Sequence, residues 1–406
     1  MQKLFLTGVL IFLLTPFINS QNTNSNITGE FFTGDINTIT TAVPFLMIAP
    51  DSRAGAMGDV GVATSPDANS MHWNPAKYAF AEEDMSLSIS YTPWLRQLVN
   101  DINLAYVSGY KKMDKRQVIG VSLLYFSLGD ITFTDNNGST IGQFKPNEFS
   151  LDGAYSRLFG EHLSGSVSLR YIYSNLTGGQ FVQGIQSHAG QAVSADVSTF
   201  YTKEIQMGDR DGNMAFGLNI SNIGSKISYT ENQERDFIPI NLRLGAALTT
   251  EMDDYNKLTF AMDINRLMVP TPPVYDGIGR EPENIIAGKD PNVSIPVGMF
   301  RSFNDAPGVI MADSTRNVFK EEMREMNYAV GAEYWYSDQF AIRGGYFYEH
   351  ETKGNRKYFT LGLGLRLKVF GLDFAYLIPQ KQNNPLANTL RFTLIFNFDG
   401  LKNETN

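Results

Sequence analysis

The sequence contains no cysteine in 406 residues, so it has no disulfide framework, no thiolate nucleophile and no thiolate metal ligand. Histidine is nearly as scarce. His72, His162, His188 and His350 are scattered without the clustered spacing of a metal site, and neither metal nor cofactor is expected. Beyond residue 20 no stretch approaches the ~20 consecutive apolar residues of a membrane-spanning helix. Positive charge is also in short supply: 33 Lys and Arg against 42 Asp and Glu give a net charge of −9, which argues against nucleic acid as a partner.

What is present points the other way. Residues 1–20 carry a positive start at Lys3, an apolar run from Leu4 to Phe17 broken by Thr7 and Gly8, and a small Ser20 before Gln21. That layout predicts a cleaved secretory signal, and with no cysteine at the cleavage point a lipoprotein is excluded. The chain is rich in Phe (28), Tyr (19) and Gly (36). An exported chain without disulfides needs another source of stability, and a closed barrel supplies one through an unbroken ladder of backbone hydrogen bonds.

Period-two alternation supports an all-β, transmembrane antiparallel barrel. Met85, Leu87, Ile89 and Tyr91 alternate with Ser86, Ser88 and Ser90, while Val167, Leu169, Tyr171 and Tyr173 alternate with Ser166, Ser168, Arg170 and Ser174. Phe359 to Leu367 and Leu390 to Phe398 repeat the scheme. About fourteen strands are expected, near 85–92, 101–110, 117–128, 146–157, 163–174, 191–206, 214–222, 239–249, 257–265, 327–336, 339–348, 357–368, 370–378 and 390–398. The barrel thus occupies 85–398, with a periplasmic tail at 399–406.

The connections beat short and long. Short turns are expected at Lys111–Arg116, Phe159–His162, Met207–Asn213, Thr250–Asn256, Ser337-Asp338 and Val369. Longer links separate them, the longest at 266–326. With both termini periplasmic, the long links would be extracellular. Arg170, Arg243, Asp263, Glu333, Arg343 and Arg366 fall on the polar side of their strands and are expected to pair across the lumen or hold an insert.

Residues 21–84 do not alternate and are expected to form a leader followed by a lumenal plug, since irregular backbone at membrane depth is tolerated where protein surrounds it. The run from Pro44 to Ala76 holds Pro50-Asp51-Ser52-Arg53-Ala54-Gly55, Met57-Gly58, Gly61-Val62-Ala63-Thr64 and Trp73-Asn74-Pro75-Ala76. It resembles the N-terminal signature of the PorV family of type IX secretion. The tripeptide Asn74-Pro75-Ala76 is shared more widely with FadL-like transporters.

The resemblance implies a FadL-like, non-enzymatic outer-membrane component. It implies partners as well: a SprA/Sov-type translocon, cargo proteins recognised by their C-terminal domains, and an attachment complex of PorU, PorQ and PorZ, all in outer-membrane lipid. A FadL-like transporter of hydrophobic small molecules is the alternative. A lipid-modifying enzyme would need His72, near Asn69, Ser70 and Asn74, to act as a catalytic base, and no residue is assigned a catalytic role.

The long link carries apolar residues Ile295, Val297, Met299, Phe300, Val309, Ile310 and Met311, with charged residues at helical spacing over 316–326. Links this long are usually functional, so these residues, with Trp94 and Leu95 of the first link, are the expected partner surface. Asp209 to Asn213 superficially suggests a calcium loop but lacks the full ligand ladder and reads as a hairpin turn.

Overall fold

The computed structural model describes residues 36–96, 99, 101–134, 137, 140–179, 181–182, 185–230, 235–277, 279–380 and 386–399. The expected signal segment, the first part of the leader and most of the expected tail lie outside them.

Fourteen antiparallel strands close into one barrel, each paired with its neighbours in sequence and the last with the first. They are β1 Met85–Pro93, β2 Asn103–Lys112, β3 Gln117–Ser127, β4 Asn147–Leu158, β5 Leu163–Asn175, β6 Gly190–Met207 and β7 Arg210–Gly224. The second half comprises β8 Asn241–Asp253, β9 Asn256–Leu267, β10 Asn327–Tyr336, β11 Phe340–Tyr348, β12 Lys357–Arg366, β13 Phe370–Pro379 and β14 Leu390–Asn397. Closure leaves no sheet edge exposed, which is what a strand-built structure in lipid requires.

Burial is inverted relative to a water-soluble fold. Ser86, Ser88, Ser90 and Thr92 are buried toward the lumen, while Ile89 and Tyr91 are exposed on the outer wall. Val121, Leu151, Leu169, Val193, Phe260, Ile342, Leu363 and Leu372 extend that exposed apolar band around the barrel. Only lipid can cover such a wall favourably, and this is the pattern of an outer-membrane barrel.

Several boundaries depart from expectation. The turns at 207–213 and 250–256 shrink to Gly208-Asp209 and Asp254-Tyr255, because the ladder continues through pairs such as Gln206 with Asp211 and Glu251 with Lys257. Gly208 takes the positive φ (69°) that this two-residue turn needs, so the turn is not at Asp-Gly-Asn. Strand β12 stops at Arg366, leaving Leu367 and Lys368 in the turn. The link expected at 266–326 begins at Met268.

A larger correction concerns the chain's path. Asn37 donates to Pro272 O (3.1 Å) and Glu321 Oε1 (3.0 Å), and its N–H to Thr352 O, all at the long-link end. Asp84 meets Asp399 at the opposite, short-turn end. The described chain therefore enters at the long links and runs down the lumen before β1 begins, rather than starting beside the short turns.

Candidate functional site

Residues 42–84 fill the lumen in three layers. At the long-link end Val43, Phe45 and Leu46 pack against the inward Leu104, Tyr106, Leu124, Phe126 and Ile172. At the short-turn end Met71, Tyr78 and Ala81 meet Tyr110, Val118 and Ala154. The middle layer is polar, and it contains the sequence signature.

Each signature residue there has a physical reason. Asp51 caps the short helix α1 (Ser52–Ala56) by accepting from Ala54 N at 2.9 Å. Its other oxygen accepts from Trp73 Nε1 at 2.6 Å, which ties α1 to α2 (Ser70–Trp73). Asn74 accepts from Ala76 N (3.1 Å) and donates to Val62 O (3.0 Å) and Thr199 O (3.0 Å). Pro75 follows at the first position of a 3-10 turn, where no N–H is needed. Gly58 lies at φ 74°, and a Cβ there would stand 2.6 Å from Tyr346 N. Gly55 lies against Arg391 and Gly61 against the Trp73 ring, with no room for a side chain. Met57 and Ala76 are buried in the middle layer with Val60 and Ala63, and Ala54 packs with Ala49 and Trp73.

Arg53 anchors the layer. Its Nε and Nη2 donate to the two oxygens of Glu333 on β10 (2.9 and 2.7 Å), and Nη1 donates to Asp67 (3.0 Å) and Ser65 O (3.1 Å). Glu333 also accepts from Arg343 on β11 (2.6 Å), Arg343 donates to Asp373 on β13 (2.7 Å), and Asp373 accepts from Arg366 (2.6 Å). Charges thus alternate from Asp67 to Arg366. A second group joins Arg170 to Asp152 and Asp196.

The remaining wall bonds run round the barrel. Asp263 accepts from Gly61 N (2.8 Å) and Val62 N (3.0 Å), Arg243 donates to His72 O (2.7 Å), and Thr360 Oγ1 accepts from Gly58 N (2.8 Å). Strands β1, β2, β4 to β10, β12 and β14 each contribute at least one hydrogen bond to this segment. His72 packs edge-on to Trp73, and Ser70 is hydrogen-bonded to Asp67, so the two do not form a nucleophile–base pair. Sequence reasoning missed Lys77, which is fully buried and donates to Gly61 O (2.7 Å). It lies one residue past the signature, where only its position next to Trp73-Asn74-Pro75-Ala76 could have flagged it.

The long link, 268–326, is built on two short helices, α3 (Ile295–Arg301) and α4 (Val318–Arg324). In α3, Ile295 and Met299 turn inward onto Ile240, Met268 and Val269, so Met299 is buried rather than displayed. Val297 and Phe300 face out, Phe300 at 76% exposure. Ile310 is exposed, whereas Val309 and Met311 are half-buried. Trp94 packs on the apolar layer under the links, and Leu95 is half-buried.

Helix α4 is inverted. Its buried residues are Glu321 and Glu322, and its exposed ones include Phe319 (74%) and Met323, four apart on one face. The glutamates bolt the link down. Glu321 accepts from Lys353 Nζ (2.7 Å) and Gly308 N (2.7 Å), Glu322 from Arg266 and from Asp305 N (2.8 Å), and Glu325 from Lys353 (3.0 Å) and Thr271 (2.8 Å). The exposed Phe303, Phe319, Met323 and Ile286 escaped the sequence reading, since α4 looks like an ordinary charged helix until its buried face is known.

Burial, then the neighbouring Glu322 and Glu325 carboxylates, pushes the Asp305 carboxyl up to about 7 from 3.8. The folded link therefore holds a proton that the open link releases. Its stabilisation is present below the ordinary carboxylate range and is lost as pH rises through about 7. A spin label on Thr315→Cys, clean in a cysteine-free chain, is expected to be more mobile at high pH, and Asp305→Asn should shrink the difference, since burial raises the Glu325 carboxyl of the same cluster as well. Equal mobility at both pH values would mean that Asp305 does not couple the link to pH.

A family model described as type IX secretion system protein PorV matches residues 32–274. No curated protein matches the sequence. Among solved structures, the chain is similar to a Pseudomonas aeruginosa FadL homologue at 10% identity and TM-score 0.43, covering 89% of this chain and 99% of that one. It is similar to the Pseudomonas putida toluene transporter TodX at 10% identity and TM-score 0.46, with the same coverages of 89% and 99%. The Ralstonia pickettii toluene transporter TbuX shares 14% identity over 86% of this chain and 96% of that one, with TM-score 0.42.

Proposed function

The chain belongs to the PorV family, an outer-membrane component of type IX secretion, and from that premise we propose that it receives exported cargo proteins by their C-terminal domains and passes them from a SprA/Sov-type translocon to the surface attachment complex of PorU, PorQ and PorZ. The work is done by binding, on the extracellular side, with the long link as the contact surface. One observation carries this reading: α4 buries its glutamates and presents Phe319 and Met323 to solvent, and Phe300 and Ile310 of the same link are exposed as well. Exposed apolar groups outside the lipid band are costly unless a partner covers them, so several on one link point to an interaction surface. Arg266 and Lys353 hold α4 in place through its buried glutamates.

The test is affinity purification of the tagged protein from native membranes, comparing wild type with Phe300→Asp/Phe319→Asp. Both side chains are exposed, so barrel assembly should be unaffected. Co-purification of the translocon or of cargo is expected to fall roughly tenfold or more, the scale of losing two aromatic anchors. Undiminished recovery of both would exclude the link as the contact surface.

A further inference from the structure

The outer wall is not uniform near the short turns. On β2, Val107, Gly109 and Lys111 face outward in line, and Gly109 stands between Leu87 of β1 and Val121 of β3. Met85, Leu87, Gly109, Ile119 and Val121 line a groove of about 660 Å³ that runs down to Lys111 and Met113, with Leu87 leaning over Gly109. Its upper part is apolar and lies in the lipid-facing band. Its lower end meets Met113, which opens the turn Met113–Arg116 that also carries Lys115 and Arg116; Lys115 lines the neighbouring recess with Asp84, Asp114 and Asp399.

This turn differs from the others. The turns at 159–162, 208–209, 254–255 and 337–339 contain neither Lys nor Arg, and that at 367–369 contains Lys368 alone. Arg157 joins the same rim, paired across from Gln117. The nearby Asp114 accepts from the N–H groups of Arg116 (2.7 Å) and Gln117 (2.9 Å) and from Gln117 Nε2 (2.6 Å). Lys112 points to the lumen side, where it donates to Glu82 O (2.8 Å) with Asp84 and Asp399 close by. Lys111 is thus a cation on the lipid face, at the foot of an apolar groove, in a protein whose overall charge is −9.

We propose that this groove and turn form a site for one anionic glycerophospholipid, its acyl chain in the Gly109 groove and its phosphate at Lys111 and the Lys115–Arg116 turn. Acyl chains necessarily cover the outer wall. What is specific here is the pairing of a recess with Lys111 at its foot and two further cations in the adjoining turn, which attract an anionic headgroup. Assignment to the periplasmic leaflet rests on the orientation proposed above, but the site itself does not.

The test uses the purified full-length protein in detergent, offered phosphatidylglycerol or phosphatidylcholine, with retained lipid read by native mass spectrometry. Wild type is expected to keep one phosphatidylglycerol under conditions that strip phosphatidylcholine. Lys111→Glu/Lys115→Glu/Arg116→Glu should lower that retention roughly tenfold or more. Val121→Trp, which fills the groove and leaves the charges alone, should lower it too, and Lys368→Glu should not. All five side chains lie outside the lumen, and an unchanged heat-dependent gel shift verifies folding. Equal retention of both lipids, indifference to the triple variant, or full displacement by inorganic phosphate would overturn the site. So would an effect of the triple variant confined to capture of an acidic protein. No secretion partner is present, so these outcomes leave the cargo-binding proposal to its own experiment.

Discussion

Replacing Arg53 by alanine is expected to destabilise the lumenal segment by about 3–5 kcal/mol, the range for removing one partner from a buried ion pair. Arg53 supplies both hydrogen bonds from the insert to Glu333 and the bond to Asp67; Arg53 and Glu333 are buried and Asp67 is half-buried. Its loss leaves Asp67 without its ion pair and leaves Glu333 to Arg343 alone. The barrel ladder does not depend on Arg53, so the strands should still close. The measurable result is a variant that assembles, shows a lower melting temperature and conducts ions in a planar bilayer where wild type is quiet. A variant as quiet and as stable as wild type would mean that the middle layer does not hold the insert. Conductance with bound apolar molecules would instead favour the transporter alternative, which requires the insert to move.

The second large effect separates two adjacent glycines on β11. Gly345 points into the lumen, where a Cβ would collide with the backbone of Met57 and Gly58. Gly344 points to lipid, with its nearest neighbour at 3.8 Å. Gly345→Val is therefore expected to cost about 3 kcal/mol or more, at the upper end for over-packing, since the obstacle is backbone and cannot rotate away. Gly344→Val should be neutral, adding apolar surface to a wall that faces acyl chains. The assay is the yield of folded barrel by heat-dependent gel mobility. Equal behaviour of the two variants would contradict the inward and outward assignment of β11, and with it the seating of Met57 and Gly58. Gly331 on β10, where a Cβ would collide with Met57 O, is expected to behave like Gly345.

The two glycines also show where sequence stops. Alternation identifies the strand containing Arg343 and Ile342, but Gly344-Gly345 is silent about which face is crowded. Crowding belongs to the insert, which lies nearly 300 residues away in the chain. The same limit applied to the long link. Its apolar residues were visible, but whether Met299 or Phe300 is displayed depends on which side of α3 meets Ile240 and Val269.

By itself the sequence determined the number and order of the strands, the inward placement of Arg170, Arg243, Asp263, Glu333 and Arg343, and the signature that ties the chain to its family. These are legible because a membrane wall imposes a strict period of two, lipid on one side and lumen on the other, on every strand independently. Only the tertiary structure decided that Asn37 lies at the long-link end, that Arg53 pairs with Glu333, and that α4 buries glutamates and exposes phenylalanine. Each of those depends on groups distant in sequence meeting inside a closed volume, where an ion pair or a missing Cβ is fixed by its partner and not by its neighbours.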